Sequence, residues 1–180
     1  LPGKLATAHT ADDNGETVLM HLVRGTGLKG LGGIAPVRGK LIRPMLGITR
    51  QEVLAFLEEY ALSYVTDSSN ETDDFLRNRL RHHVMPLLRE ENPKFSENTS
   101  AMALRLRQDE EALEGVAELT TDVEALRSMM PAVQNRVLRK PLLHFGVKEP
   151  EAEHVGLLRK ILYSDNPSAA GEFPAGLVIG

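Results

Sequence analysis

KLATAHTADDNGETVLMHLVRG, residues Lys4 to Gly25, decides the fold class of this 180-residue chain. Lys4 to His9 is short, apolar and β-leaning, which predicts a buried strand, although Ala6 and Ala8 weaken the pattern. Thr10 has the type and position of an N-cap. Asp12, Asp13 and Glu16 crowd the first turns of the helix that follows, where the helix dipole favours negative charge. Val18, Leu19, Leu22 and Val23 supply its expected apolar face, and Gly25 stops it. A strand that ends at a histidine and runs into an acidic helix N-terminus is the arrangement that forms a ligand crevice in α/β folds.

The carboxylates are spaced to act together. Asp12 and Glu16 are four apart and Asp13 and Glu16 three apart, so they share a helix face and are expected to be solvent-accessible. Such a group can hold Mg²⁺ through oxygen, bind an ammonium, or take a proton from an attacking amine. Acids enriched in a first turn for dipole reasons alone are the competing reading.

Outward from this segment, Gly25-Thr-Gly-Leu-Lys-Gly30 matches G-x-G-x-x-G, but a helix precedes it where the dinucleotide fingerprint needs a strand. Leu31 also stands where a P-loop needs lysine. The stretch from Gly25 to Gly33 reads either as a mobile glycine loop that cradles phosphate or covers a site, or as a plain connector. Val37 to Met45 reads as one extended segment ended by Pro44. Thr49 to Tyr60 predicts an amphipathic helix, capped by Thr49 with Glu52 three residues on and buried through Val53, Leu54, Phe56 and Leu57. Tyr64-Val65-Thr66 suits a last short strand before the polar loop Asp67 to Asp74.

Beyond Phe75 the pattern turns helical. Leu76, Leu80, Val84, Leu87 and Leu88 keep a helical period that Pro86 kinks or ends. Further helices are expected over Asn98 to Leu126, Ala132 to Phe145 and Glu149 to Tyr163, the last with Pro150 in its first turn. Asp165 to Pro174 reads as a turn-rich linker. The expected organisation is an α/β remnant over 1–70, an all-α domain over 71–165, and a linker with the start of a truncated strand over 166–180. Both ends read as cut, and the chain as a fragment.

Hydrophobic content of 42% with 26% charged residues is that of an ordinary globular protein, and the absence of cysteine removes disulfides, thiolate-bound zinc and a cysteine nucleophile. That composition fits a reducing cytoplasm, and no run suits a membrane span. Net charge is −4, yet no acid lies between Glu16 and Glu52, while Arg24, Lys29, Arg38, Lys40, Arg43 and Arg50 do. Such a stretch is a footprint for phosphate or RNA, or diffuse surface charge. Arg77 and Arg81 share a helix face suited to gripping phosphate or carboxylate, with local pairing to Glu71, Asp73 and Asp74 as the alternative. His82 and His83 are adjacent and expected to point apart, which speaks against a metal site there.

The ordered segments ATAHTADDNGETVLMHLVRGTGLKGL, LIRPML and YVTDSSNETDDFLRNRLRHHVMPLL closely resemble the tRNA(Ile)-lysidine synthetase family of PP-loop ATP pyrophosphatases. The resemblance is strong from Lys4 to Leu88 and looser over the helical remainder, including NPKF and PAGLVIG. It implies a doubly wound nucleotide-binding domain followed by a helical substrate-binding domain. It also implies a cytoplasmic ligase using ATP and Mg²⁺ to join free lysine to the wobble cytidine of an isoleucine tRNA through an adenylated cytidine. By the same resemblance Asp13 and His9 are the catalytic candidates, with Asp12 and Asp13 as Mg²⁺ ligands. Asp12, Glu16, Arg43, Arg77 and Arg81 become candidates for substrate or nucleotide contact. The family's SGGxDS phosphate loop has no counterpart in these 180 residues, so the chain alone is expected to be inactive. The alternatives are a non-catalytic tRNA-binding or helical interaction module and another PP-loop tRNA-modifying enzyme, many of which use paired cysteines that are absent here.

Overall fold

The computed structural model describes residues 3–65 and 72–180. The chain divides into two compact units, Leu1–Glu110 and Glu111–Gly180. This division lies well beyond residue 70, where the sequence reading placed it. The physical reason is a set of ion pairs, described below, that fastens the helices after Phe75 to the first helix of the chain.

The first unit begins with β1 (Leu5–Ala6), α1 (Ala11–Arg24), α2 (Leu28–Leu31), β2 (Val37–Arg38) and β3 (Leu41–Ile42). β1 runs parallel to β3, with Leu5 opposite Leu41 and Ala6 opposite Ile42, and β2 pairs antiparallel on the other side of β3. The parallel pair joined through α1 gives the unit its α/β character. The strands are shorter than expected. Leu5 is 67% exposed, so β1 is not the buried strand its composition suggested. The expected single segment from Val37 to Met45 is instead a hairpin, turned at Gly39 with φ 60°.

α1 starts on a capping box between Thr10 and Asp13 and stops at Gly25 with φ 77°. Its buried face is Ala11, Asp12, Asn14, Gly15, Glu16 and Val18, while Leu22 and Val23, expected inside, are exposed. A polar face can be buried here because each carboxylate finds a donor. Gly15 lets Met85 and Phe95 approach, their side chains lying 3.4 and 3.7 Å from where a Cβ would stand.

α3 (Arg50–Glu59) carries the expected capping box of Thr49 and Glu52. None of its residues is fully buried, and the exposed Phe56 ring lies against Tyr60 instead, 4.5 Å between centroids. Tyr64 and Val65 form no strand, and Thr66 lies outside the described residues, as does most of the polar loop that follows. α4 (Leu76–Arg79) continues through a π-helical turn, Leu80–Val84, into α5 (Met85–Glu91). Pro86 has no N–H to offer the carbonyl four residues back, and the Met85 N–H reaches five residues back to Leu80. The proline thus neither ends the helix nor leaves it regular.

α6 (Phe95–Val116) is shorter than the expected Asn98–Leu126 helix, and the unit division falls inside it. In the second unit Asp122 caps a separate α7 (Val123–Ser128) by accepting from the Glu124 and Ala125 N–H groups. Local side-chain acceptors of this kind compete with helix continuation. α8 (Pro131–His144) and α9 (Ala152–Leu162) follow, the latter capped by Glu151, so Pro150 precedes the helix. The expected linker and truncated strand are instead an antiparallel hairpin, β4 (Gly171–Phe173) and β5 (Leu177–Ile179), around a 3-10 turn, Pro174–Gly176. Phe173 explains this outcome, being buried with Leu126, Val137, Leu142 and Leu158 in one apolar cluster. No helix of the described residues is long and apolar enough to cross a membrane.

Candidate active site

The site is built at the junction of β1 and α1. One oxygen of Asp13, Oδ2, accepts from the Thr10 N–H at 2.8 Å and from the Thr10 hydroxyl at 2.9 Å. Its other oxygen, Oδ1, lies 3.4 Å from an Arg81 Nη2. Asp13 is partly exposed, with 23% of its side chain accessible. His9, also partly buried, lies four residues earlier, its Nδ1 2.9 Å from the Thr7 hydroxyl. A carboxylate held on one oxygen by a backbone cap and steadied on the other by a guanidinium has a fixed direction. It is suited to orienting a cationic amine and, once that amine approaches, to receiving its proton.

Asp12 and Glu16 are placed differently from the accessible pair expected. Asp12 is buried, and its two oxygens accept from the Arg50 N–H at 2.5 Å and from Arg89 and the Ser96 hydroxyl at 2.6 Å each. Burial pushes its carboxyl up, but these three bonds and the Arg89 charge outweigh it and hold the group below its ordinary value. Glu16 is 1% exposed and takes a two-bond grip from Arg81, at 2.6 and 2.9 Å. Arg77 adds an ion pair to Glu16 at 3.4 Å and donates to the Thr17 hydroxyl at 2.8 Å. Glu16 in turn is the main cause that raises the Arg81 pKa further.

Arg77 and Arg81 therefore hold Glu16 rather than Asp73 or Asp74, and Glu71 lies outside the described residues. Arg43 donates to the Ala35 carbonyl at 2.6 Å, a bond that fastens the β2–β3 hairpin. Asp12, with both oxygens occupied, and Asp13, with one oxygen in its own cap, do not fit the Mg²⁺ site expected of them. Among the described residues no group of three or more His, Asp or Glu is arranged to hold a metal. His82 and His83 do not point apart: both reach the Asp73 carboxylate, at 2.8 and 2.6 Å, and hydrogen bonding from them lowers its pKa.

The second half of the glycine-rich stretch is tied down by side-chain hydrogen bonds. His21 Nδ1 donates to the Gly30 carbonyl at 2.7 Å, Asn14 Oδ1 accepts from the Ile34 N–H at 2.8 Å, and Arg107 donates to the carbonyls of Gly32 and Gly33. Asn14, Arg89, Ser96 and Arg107 were not singled out from the sequence. Only Arg89 left a signal: Arg77, Arg81 and Arg89 recur at multiples of four, matching the four-residue spacing of Asp12 and Glu16.

Comparison with known proteins places this chain among relatives. The PP-loop domain model matches residues 3–88, and the model of the TilS substrate binding domain matches residues 122–176. The chain is similar to the tRNA(Ile)-lysidine synthase of Geobacillus kaustophilus, 37% identical over 98% of this chain and 42% of that protein. Its similarity to that of Bacillus subtilis is 35% over 97% of this chain and 42% of the relative. For Porphyromonas gingivalis strain W83 the figures are 46% identity, 94% and 38%. The chain thus spans about two fifths of the length of the curated relatives it matches. With both domain models matched in order and the relatives matched along nearly the whole chain, it belongs to the tRNA(Ile)-lysidine synthase family of PP-loop proteins.

Proposed function

We propose that the protein carrying this chain uses ATP to join lysine to the wobble cytidine of an isoleucine tRNA, with Asp13 serving the attacking amine. The observation that carries the reading is the fixed, partly exposed Asp13 carboxylate at the β1–α1 junction, in a chain whose relatives are named for lysidine synthesis. In the first step the cytosine oxygen at C2 attacks the α-phosphorus of ATP and pyrophosphate leaves. In the second the lysine side-chain nitrogen forms a bond to C2, and AMP departs with the oxygen. Free lysine has a pKa of about 10.4, so a proton must leave the amine before or during that attack. Asp13 orients the ammonium through its charge and accepts that proton, and partly buried His9, four residues earlier, is the second candidate for carrying it away.

Asp12 and Glu16 serve this site indirectly, by locking α1 to the helices that carry Arg89, Arg81 and Arg77. Mg²⁺ is not assigned to either residue. A tRNA substrate and lysine as second substrate place the reaction in the cytoplasm.

The test is Asp13→Asn in a full-length enzyme containing this segment. The substitution keeps the capping oxygen and removes charge and basicity. Lysine transfer is expected to fall by on the order of 10²–10⁴, the usual effect of losing a positioned base. Pyrophosphate release in the absence of lysine should persist. Wild-type lysidine formation in the variant would end the assignment, and loss of both steps would move Asp13 to the adenylation half-reaction.

A further inference from the structure

One to three turns along α1 from Asp13, a cavity of about 540 Å³ opens beside the start of α4. Met20 and Leu76 form part of its apolar wall, and Phe75 stands in it with 69% of its surface exposed. Arg24, Arg77 and His21 supply the charged and titratable groups, and among the described residues no carboxylate lines it. Arg24 is exposed, and Arg77 keeps 37% of its side chain accessible despite its pair with Glu16. The His21 ring is fixed, because Nδ1 must carry the proton donated to the Gly30 carbonyl. The surrounding chain, from Thr17 to Gln51, contains no acid at all.

A large exposed aromatic ring selects a planar partner, and exposed Arg24, beside the accessible part of an Arg77 that keeps its pair with Glu16, favours an anion. A cavity of a few hundred Å³ accommodates a small ligand of that kind. Planar base and phosphate together describe a nucleotide that is not stacked in a duplex. We propose that this cavity takes one unstacked nucleotide of single-stranded RNA, with its base on the Phe75 ring and its phosphate at Arg24 and Arg77. Helical rise places Thr17 to Arg24 about 6–16 Å along the axis from Asp13. The bound nucleotide is therefore one that flanks the reacting cytidine, a placement that rests on the function proposed above.

The chain has no tryptophan, so Phe75→Trp installs a single reporter at the base-stacking position. Titrating that variant of the 180-residue chain with a single-stranded RNA heptamer should quench its emission. Phe75→Ala should weaken binding of the heptamer, followed by anisotropy, by roughly 5- to 100-fold, the size of one base–aromatic stack. Arg24→Glu should weaken it further at low salt and flatten its salt dependence by about one phosphate contact. Emission unmoved at saturating RNA, wild-type affinity of Phe75→Ala, quenching as strong by an RNA duplex or an acidic peptide, or no binding of the heptamer would each overturn the assignment. A separate assay keeps the two readings apart. If a full-length enzyme forms no lysidine while the heptamer still quenches the reporter, the reaction fails and the nucleotide site stands.

Discussion

Asp12 accepts three hydrogen bonds from groups on three other elements: the Arg50 N–H, the Arg89 guanidinium and the Ser96 hydroxyl. Asp13, one residue on, accepts mainly from its own cap. Asp12→Asn removes the charge from the buried network and leaves donors facing an amide. It should lower stability by on the order of 1–3 kcal/mol at neutral pH. Because the folded Asp12 pKa lies below its unfolded value, its stabilisation is present above the unfolded pKa and is lost as pH falls through the folded one. The gap between wild type and Asp12→Asn in chemical denaturation should therefore close below about pH 4, the unfolded carboxylate value. A gap that persists unchanged at pH 2 would show that the network is not electrostatic. The Thr10–Asp13 cap was legible in the sequence because its partners are three residues apart. The duties of Asp12 and Glu16 were not, since their partners lie 38 to 84 positions away and no local pattern marks which cation a carboxylate meets.

Helix α1 and the α4–α5 segment run antiparallel in their pairing, with Asp12 on Arg89 and Glu16 on Arg81 and Arg77. Eight residues of regular α-helix would carry Arg89 about 80° past two full turns from Arg81. The π turn at Leu80–Val84 rotates less per residue and brings both arginines toward α1. Pro86 was visible in the sequence, but its effect was not, because a missing N–H allows a kink, a stop or a widened turn. Helix boundaries with a cap, at Thr10 and Thr49, were legible; strands of two residues were not, since two residues carry no alternation to read. The tied-down half of the glycine-rich stretch offers a test at this scale. At Gly33, φ is 60° and an added Cβ would stand 2.2 Å from Asn14 Oδ1, so Gly33→Ala must break the Asn14–Ile34 bond. A loss of at least about 1 kcal/mol is expected from backbone strain alone. Hydrogen exchange at the Ile34 amide should accelerate in Gly33→Ala and in Arg107→Ala, while α8 in the second unit keeps its protection. Unchanged exchange at Ile34 in both variants would mean that the loop is not held by these contacts.

At the scale of the whole molecule the two units are stabilised by different means. The interior of the first mixes Ala11, Val18, Leu80, Met85 and Ala103 with Asp12, Asn14, Glu16, Asn78, Ser96 and Thr99, so its cohesion depends on satisfied polar pairs. The second holds an apolar cluster in which Leu142 is fully buried and Phe173 closes the hairpin side. Helices α8 and α9 were legible from helical periodicity, whereas the closing hairpin of the second unit was hidden behind turn-forming residues around a single buried phenylalanine. Different cohesion predicts different sensitivities. Leu142→Ala should cost about 2–5 kcal/mol through a cavity, nearly independent of pH. Glu16→Ala removes the buried carboxylate that Arg81 and Arg77 share, leaving Arg81 its longer contact with Asp13, and should cost on the order of 3–5 kcal/mol. Amide exchange read residue by residue should place the first loss in residues 111–180 and the second in residues 3–110. In the double variant the two losses should add to within about 0.5 kcal/mol, as expected for sites with no shared partner. Loss of exchange protection in residues 3–110 on Leu142→Ala would instead mean that the units unfold as one body through α6, which spans the division between them.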